Sequence, residues 1–166
     1  MPFTARRFTG QTTIEVDGQS IQARHVLIAT GARPVPLAFP GVEHLITSDR
    51  FLELDELPAR IAMVGGGYIA AEFSHIAARA GAKVIVLQRA ERMLTRFEPE
   101  LVGWLMEKFS EIGVEVRTGT VVEAIDRVSS GFRVHARAGS QAITTEADLV
   151  VHAAGRVPDR RGRRTL

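Results

Sequence analysis

Three consecutive glycines in this chain have the spacing of a turn that holds the phosphates of a dinucleotide. The stretch that fits the G-x-G-x-x-G/A pattern consists of Gly65, Gly66, Gly67, Tyr68, Ile69 and Ala70. In this pattern Gly65 allows a tight turn, Gly67 lets the backbone approach a pyrophosphate, and Ala70 lets helix and strand pack closely. The N–H groups of a helix that begins here would point at the phosphates, where the helix dipole favours negative charge. The spacing therefore predicts a pyrophosphate-binding turn, and a purely structural glycine turn is the alternative.

A second group of residues bears on which nucleotide such a turn would hold. Sites for NAD commonly carry an acid about 20 residues further on, at the end of the next strand, which binds the ribose hydroxyls. Gln88 stands there and has no negative charge to repel a 2′-phosphate, whereas Arg89 and Arg92 could pair with one. Arg96 is a more distant candidate. These residues predict NADP rather than NAD. Ordinary surface arginines are the alternative, and an ion pair with Glu91 would weaken the prediction.

The elements that must position these residues alternate between strand and helix. Buried strands are predicted at 60–65, 82–89, 114–119 and 147–155, helices at 67–81 and 98–113, and a meander or hairpin at 120–139. Alternation with short loops predicts an α/β fold, a Rossmann-like βαβ dinucleotide-binding domain with a β-meander. In the second helix the apolar residues at helical spacing are Leu101, Leu105, Phe109 and Ile112.

The first 58 residues give a less regular pattern. Residues 10–30 predict strands, with Asp17-Gly18 as a hairpin turn and 25–30 as a short buried strand. Residues 31–43 are rich in proline and glycine and predict an irregular connection. Residues 48–58 predict a short helix that ends before a proline.

Composition excludes several classes of chemistry. The chain has no cysteine, which excludes disulfides, thiolate metal sites and cysteine nucleophiles within it. Its five histidines show no metal spacing, so no metal site is predicted. Much of the net charge of +2 lies in the arginines near the end of the chain. Because no aromatic residues alternate with those arginines, we expect a solvated terminus without a nucleic acid partner.

Neither a membrane partner nor export is expected. No apolar run approaches the ~18–20 residues that span a bilayer, and no apolar segment follows the first arginines as a secretory signal requires. We therefore expect a cytoplasmic protein.

Three motifs in order resemble a known family. The motifs HVLIATGARP, VGGGYIAAEF and ADLVVHAAGRVPD stand between residues 25 and 159 and so span most of the chain. Together they resemble the pyridine nucleotide-disulfide oxidoreductases, the group of glutathione reductase, dihydrolipoamide dehydrogenase and mercuric reductase. The resemblance implies a flavoenzyme in which NAD(P)H passes a hydride to FAD, and from there to a disulfide or similar acceptor.

The resemblance also implies a domain organisation. Residues 1–58 would be the remnant strands of an FAD-binding domain and a connection, 59–155 the NAD(P)H-binding domain, and 156–166 a truncated return segment. FAD would bind through a domain outside this chain, the isolated chain would be inactive, and the full-length parent would be a homodimer.

Several site residues follow from the resemblance alone. Tyr68 matches a tyrosine that covers the nicotinamide pocket, and Glu72 matches a glutamate near the nicotinamide; as i and i+4 residues they share a helix face. Gly155 matches a backbone position on the nicotinamide side, and Val122 a position near the nicotinamide or adenosine. The segment Ala29, Thr30 and Gly31 matches one close to the flavin nucleotide.

Two other classes of protein remain open from the sequence. One is a non-catalytic nucleotide-binding module that self-associates through exposed apolar surface. The other is a relative of the ferredoxin reductases or flavin monooxygenases, which share the layout with two nucleotides.

Overall fold

The computed structural model describes residues 6–159, which divide into two compact units. The first runs to Arg33 and resumes at Arg156, and the second is Pro34–Gly155. The basic segment 160–166 lies outside the described residues. Assignment of the two units to FAD and NAD(P)H binding stays a prediction.

The division into compact units falls before Pro34, while the predicted boundary between an FAD-binding and an NAD(P)H-binding domain, after residue 58, stays a prediction. Residues 34–58 belong to the second unit because they are bonded and packed to its sheet. The N–H of Ile46 donates to Val150 O at 3.0 Å, and the N–H of His152 donates to Ile46 O at 2.8 Å. Phe51 stacks on Phe73, with 4.6 Å between ring centroids.

The first unit is made of short strands. Its elements are β1 (Arg6–Phe8), β2 (Thr13–Val16), β3 (Gln19–Gln22) and β4 (Ala32–Pro34), with β12 (Arg156–Pro158) at its end. Strand β2 pairs antiparallel with β1 and β3, and β4 pairs with β12. The pairing of Val16 with Gln19 confirms the predicted two-residue hairpin, whereas β1 was not predicted.

The buried strand predicted at 25–30 is wrong. These residues adopt no regular structure, and Leu27 and Ile28 are 91% and 57% exposed. A strand needs a neighbouring backbone to satisfy its N–H and C=O groups, and within the described residues this run pairs with none. An apolar run alone therefore did not suffice to make a strand here.

The second unit is built on a parallel sheet of four strands in the order β11-β5-β6-β7. The strands are β5 (Arg60–Val64), β6 (Lys83–Leu87), β7 (Val114–Arg117) and β11 (Leu149–His152). Its helices are α1 (Ser48–Leu52), α2 (Tyr68–Arg79) and α3 (Pro99–Glu111), with a 3-10 turn at Val42–His44. Helix α1 is shorter than the predicted 48–58. The α/β fold with its βαβ unit is confirmed.

An antiparallel meander covers the face of the parallel sheet that is opposite to α2 and α3. It consists of β8 (Thr120–Val128), β9 (Gly131–Ala138) and β10 (Gln141–Ala147), in the order β10-β9-β8. The two-residue turn at Ser129 and Ser130 was predicted, and β10 was not. Most residues of β10 are exposed or only partly buried. Its sequence is therefore less apolar than the sequences of the buried strands, and harder to recognise as a strand.

The strands of the parallel sheet are apolar on both faces because each face supports its own core. Ile61 and Met63 of β5 pack towards α2 and α3 with Phe73 and Phe109. Ala62 and Val64 of β5 pack towards the meander. The result is three layers, helices on sheet on meander, which explains why the strands appear in the sequence as continuous apolar runs.

The buried face of α3 differs from the predicted one at its first residue. Leu101 is 57% exposed, whereas Val102 and Phe109 are buried. Val102 and Phe109 are seven residues apart, two helical turns, so they share the face against the sheet. Leu105 and Ile112 are partly buried beside them.

A charged network joins the first residue of β5 to the residue before β11. The backbone N–H and the guanidinium of Arg60 both donate to the Asp148 carboxylate, at 2.9 Å from N to Oδ2 and 2.6 Å from Nη2 to Oδ1. Arg60 Nη2 also donates to Ser130 O at 2.8 Å. These hydrogen bonds from Arg60 hold the pKa of the Asp148 carboxyl below its ordinary value.

The Asp148 pair predicts a pH dependence of stability. A carboxyl whose pKa is lower in the folded than in the unfolded protein stabilises the fold above its unfolded pKa, about 4, and ceases to do so as pH falls through the folded value. We expect Asp148→Asn to be less stable than the parent chain at pH 6, and the difference to shrink below about pH 4. Urea titrations followed by fluorescence of Trp104, the chain's single tryptophan, measure both. A difference that is constant from pH 6 to pH 3 contradicts the prediction.

Among the helices of residues 6–159, none has the length and apolar composition that crossing a bilayer requires.

Candidate functional site

Strand register brings three separate segments together at one edge of the parallel sheet. Val64 of β5 pairs with Leu87 of β6 on one side and with His152 of β11 on the other. The residues that follow these strands therefore lie side by side at their carboxyl ends. They are the glycine turn, Gln88 with the loop after it, and the segment 153–155. Strands β6 and β11 lie on opposite sides of β5. In α/β sheets a change in the direction of the strand order forms a crevice at the carboxyl ends of the strands, and ligands bind there.

Gly65 makes the turn out of β5 in a backbone conformation that favours glycine. Its φ is 104°, and a Cβ there would lie 2.6 Å from the carbonyl carbon of Ala153. The Gly65 N–H donates to Leu87 O at 2.9 Å, and the Ala153 N–H donates to Val64 O at 2.8 Å. The turn is therefore pressed against the segment that follows β11, and it has no room for a side chain.

Gly67 leaves the start of α2 open to a ligand. It is the N-cap residue, and no side chain caps the helix. A Cβ on Gly67 would lie 3.3 Å from Ala153 O, so the glycine keeps a narrow passage clear. The N–H groups of a first helical turn lack partners within the helix. Ala70 is fully buried, as close packing of helix on strand requires. Ile69 is also buried. A helix start without a side-chain cap is what a pyrophosphate site requires, and binding of one here stays a prediction.

Gly66, to which the sequence assigned no separate role, is tied to the loop after β6. Its N–H donates to Gln88 Oε1 at 3.0 Å, and its carbonyl accepts the Leu94 N–H at 2.8 Å. A Cβ on Gly66 would meet Met93 Cγ at 2.9 Å and Gln88 Cγ at 3.0 Å. Two sequence signals pointed to this packing: the middle glycine of the three, and an apolar methionine in a charged loop.

The two arginines after β6 differ in their surroundings. Arg92 is half-buried, and its Nη2 donates to Thr95 O at 2.9 Å. Its Nη1 is buried without a hydrogen-bond partner. Arg89 is exposed, and no side-chain hydrogen bond or salt bridge holds it among the described residues. In the same part of the chain no salt bridge joins Glu91 to an arginine. Arg89 is thus available to an anionic ligand.

Tyr68 and Glu72 lie on the outer face of α2. Tyr68 is the first helical residue, and both side chains are exposed. Glu72 also borders a shallow groove between α2 and α3 that Ala71, His75, Ile76 and Leu105 line. The shared face follows from their i, i+4 spacing. Their part in binding a nicotinamide stays a prediction.

The remaining predicted residues lie in different places. Gly155 has a φ of 113° and open space where a Cβ would stand, and its carbonyl accepts the Val35 N–H at 3.0 Å. Val122 is on β8, where it packs against the core under the meander. The segment of Ala29, Thr30 and Gly31 is exposed and belongs to the first unit.

Within the first unit, that segment is bonded to the returning chain. Thr30 Oγ1 donates to Asp159 O at 2.9 Å, and the Asp159 N–H donates to Gly31 O at 3.0 Å. The structure thus holds this segment at a defined place, while its role near a flavin nucleotide stays a prediction. Across residues 6–159, no group of three histidines or acids could hold a metal ion.

Comparison with known proteins gives consistent matches. The family model described as Pyridine nucleotide-disulphide oxidoreductase matches residues 2–166. The chain is 35% identical over 154 residues to a mercuric reductase of Staphylococcus aureus, covering 92% of this chain and 28% of that protein. It is 38% identical over 153 residues to a glutathione reductase of Burkholderia cepacia, covering 92% of this chain and 33% of that protein.

A solved structure shares the fold. The HOCl-induced flavoprotein disulfide reductase of Escherichia coli superposes with a TM-score of 0.76 at 26% identity, covering 95% of this chain and 36% of that one. The chain therefore spans about a third of the length of the proteins it matches.

Proposed function

The chain belongs to the pyridine nucleotide-disulphide oxidoreductase family, and from this premise we propose that residues 34–155 bind NAD(P)H for hydride transfer to FAD. The observation that carries the proposal is the uncapped start of α2 beside the Gly65 turn, where Gly67 and Ala153 O leave a passage without side chains. Backbone N–H groups and the helix dipole would hold the pyrophosphate there.

Within this proposal the nicotinamide lies towards Tyr68 and Glu72. The reduced nicotinamide supplies the hydride and the flavin accepts it. The side chains of the chain itself bind and orient. Tyr68 offers an aromatic face at the mouth of the turn, and Glu72, one helical turn further, offers a carboxylate. Gly155, without a side chain, leaves room on the opposite side.

We propose NADPH in preference to NADH because of charge at the end of β6. No carboxylate stands at Gln88 to repel a 2′-phosphate, and the uncommitted guanidinium of Arg89 is available to bind one. Arg92 is less available to bind a 2′-phosphate because its Nη2 already donates to Thr95 O.

The whole protein's reaction is proposed from its relatives. Two of them are named mercuric reductase and glutathione reductase, and a third is a flavoprotein disulfide reductase. Electrons would pass from NADPH through FAD to a disulfide or similar acceptor, in a homodimeric cytoplasmic enzyme. Residues 29–31 would lie near the flavin nucleotide in that enzyme.

Substitution of Arg89 tests the nucleotide preference. We expect Arg89→Ala to weaken NADPH binding by about tenfold, because a charge-assisted contact with a phosphate is lost. Binding of NADH should change less than about twofold, since it has no 2′-phosphate. Titrations followed by nucleotide fluorescence measure both. Arg79→Ala is the control, because Arg79 is an exposed arginine at the carboxyl end of α2 and should change neither.

Two outcomes separate the proposal from its rivals. Equal losses for NADPH and NADH would show that Arg89 does not read the 2′-phosphate. No saturable binding of either nucleotide by the parent chain would favour a self-associating module. Exposed apolar side chains on α2 and α3, namely Ile76, Leu101 and Trp104, are the observation that keeps this second candidate open.

A further inference from the structure

Gln88 is a buried polar residue whose side-chain amide forms hydrogen bonds through both its oxygen and its nitrogen. It is 9% exposed. Its Oε1 accepts the Gly66 N–H at 3.0 Å, and its Nε2 donates to Arg92 O at 3.1 Å. The orientation of the amide is unambiguous because one neighbour can only donate and the other can only accept. The side chain therefore faces the protein's own backbone.

Three hydrogen bonds and the backbone from Arg92 to Leu94 together form a closed ring. Gly66 donates to Gln88, Gln88 donates to Arg92, and Leu94 donates back to Gly66 O at 2.8 Å. The ring joins the glycine turn to residues 89–95, which we name the arginine loop. The Gly66 N–H is consumed within the ring, which leaves the N–H groups of the first turn of α2 for the pyrophosphate.

The arginine loop needs such a restraint. Leu94 has a φ of 48°, in the left-handed region that a leucine rarely adopts. This conformation is strained and persists only where the surroundings enforce it. Here the surroundings are the bond from Leu94 to Gly66 and the fully buried side chain of Met93, which fills the space beside Gly66.

We infer that Gln88 is a positioning residue, which fixes the arginine loop against the glycine turn and so places Arg89 for the 2′-phosphate. This inference rests on the proposed function. It differs from the simpler view that position 88 matters only through the absence of a negative charge. In that view any neutral side chain serves; in ours the side chain must donate to one backbone group and accept from another.

Two substitutions distinguish the two views. Gln88→Met keeps the size of the side chain without its hydrogen bonds, and releases both Gly66 and the loop. Gln88→Glu can still accept the Gly66 N–H but turns an oxygen towards Arg92 O, so it releases the loop alone. Amide exchange measured by NMR should therefore quicken at Gly66 and Leu94 in the first variant, and at Leu94 only in the second. Circular dichroism confirms that each variant is folded.

Nucleotide titrations provide the functional readout. We expect Gln88→Met to weaken NADPH binding by about tenfold and NADH binding by less than about threefold. In the Gln88→Met background, Arg89→Ala should then cost less than about twofold more, because the two changes remove the same contact. Additive losses, or NADPH affinity unchanged in Gln88→Met, would overturn the inference.

The exchange experiment does not depend on nucleotide binding. If the parent chain binds neither NADPH nor NADH, the proposed function fails and with it the selectivity role of Gln88. Faster exchange at Leu94 in Gln88→Met would then still support the positioning of the loop, and unchanged exchange would overturn that as well.

Discussion

Gly65→Ala is expected to destabilise the second unit by at least about 3 kcal/mol and to abolish nucleotide binding. Two costs act together at this position. The backbone has a φ of 104°, which a residue with a Cβ rarely adopts, and the Cβ would run into the backbone of Ala153 and Ala154. Neither obstacle is a flexible side chain, so relief requires the end of β11 to move away from β5. Urea unfolding and NADPH titration measure the two effects.

Gly67→Ala is the matched control because it separates binding from stability. Gly67 has an ordinary φ of −84°, and its Cβ would lie 3.3 Å from Ala153 O, a tight contact without a backbone clash. We expect stability within about 1 kcal/mol of the parent chain. Affinity for NADPH should fall by about a hundredfold or more, since the methyl group occupies the proposed pyrophosphate passage. Retained binding in Gly67→Ala would show that the nucleotide lies elsewhere.

The strand, turn and helix that frame this site could be predicted because each depends on residues that are close together in the sequence. The glycine triplet lies between a buried strand and a helix, and the strand, turn and helix all formed as expected. Residues Ile61 and Met63 contact one core while Ala62 and Val64 contact the other. A strand buried on both faces is recognisable from a continuous apolar run, since no alternation is needed.

Features that depend on distant contacts could not be predicted in the same way. The inward orientation of Gln88 depends on where Gly66 and Arg92 O stand after folding. The exposure of Leu27 depends on the lack of a pairing strand among the described residues, which composition does not reveal. Similarly, Leu101 is exposed and Val102 is buried, because the apolar periodicity of α3 allowed either residue on the buried face.

Phe109→Ala is expected to cost about 3–5 kcal/mol of the free energy of unfolding. Phe109 is fully buried between α3 and the parallel sheet, and its ring meets His75 of α2 edge-on at 6.5 Å between centroids. Truncation leaves a cavity where two helices and the sheet meet, and neither helix can collapse into it without losing its other contacts. Because Trp104 lies on the same helix, its fluorescence during urea unfolding reports on this region.

Trp104→Ala, followed by circular dichroism, is the control on the same helix. Trp104 is larger than Phe109 but 58% exposed, so its removal should change stability by less than about 1 kcal/mol. The contrast tests the packing of α3 as a whole, because the two residues are five positions apart and point in different directions around the helix. A large loss from Trp104→Ala would mean that the exposed apolar face of α3 is covered in solution. A small loss from Phe109→Ala would mean that α3 does not pack on the sheet as the structure has it.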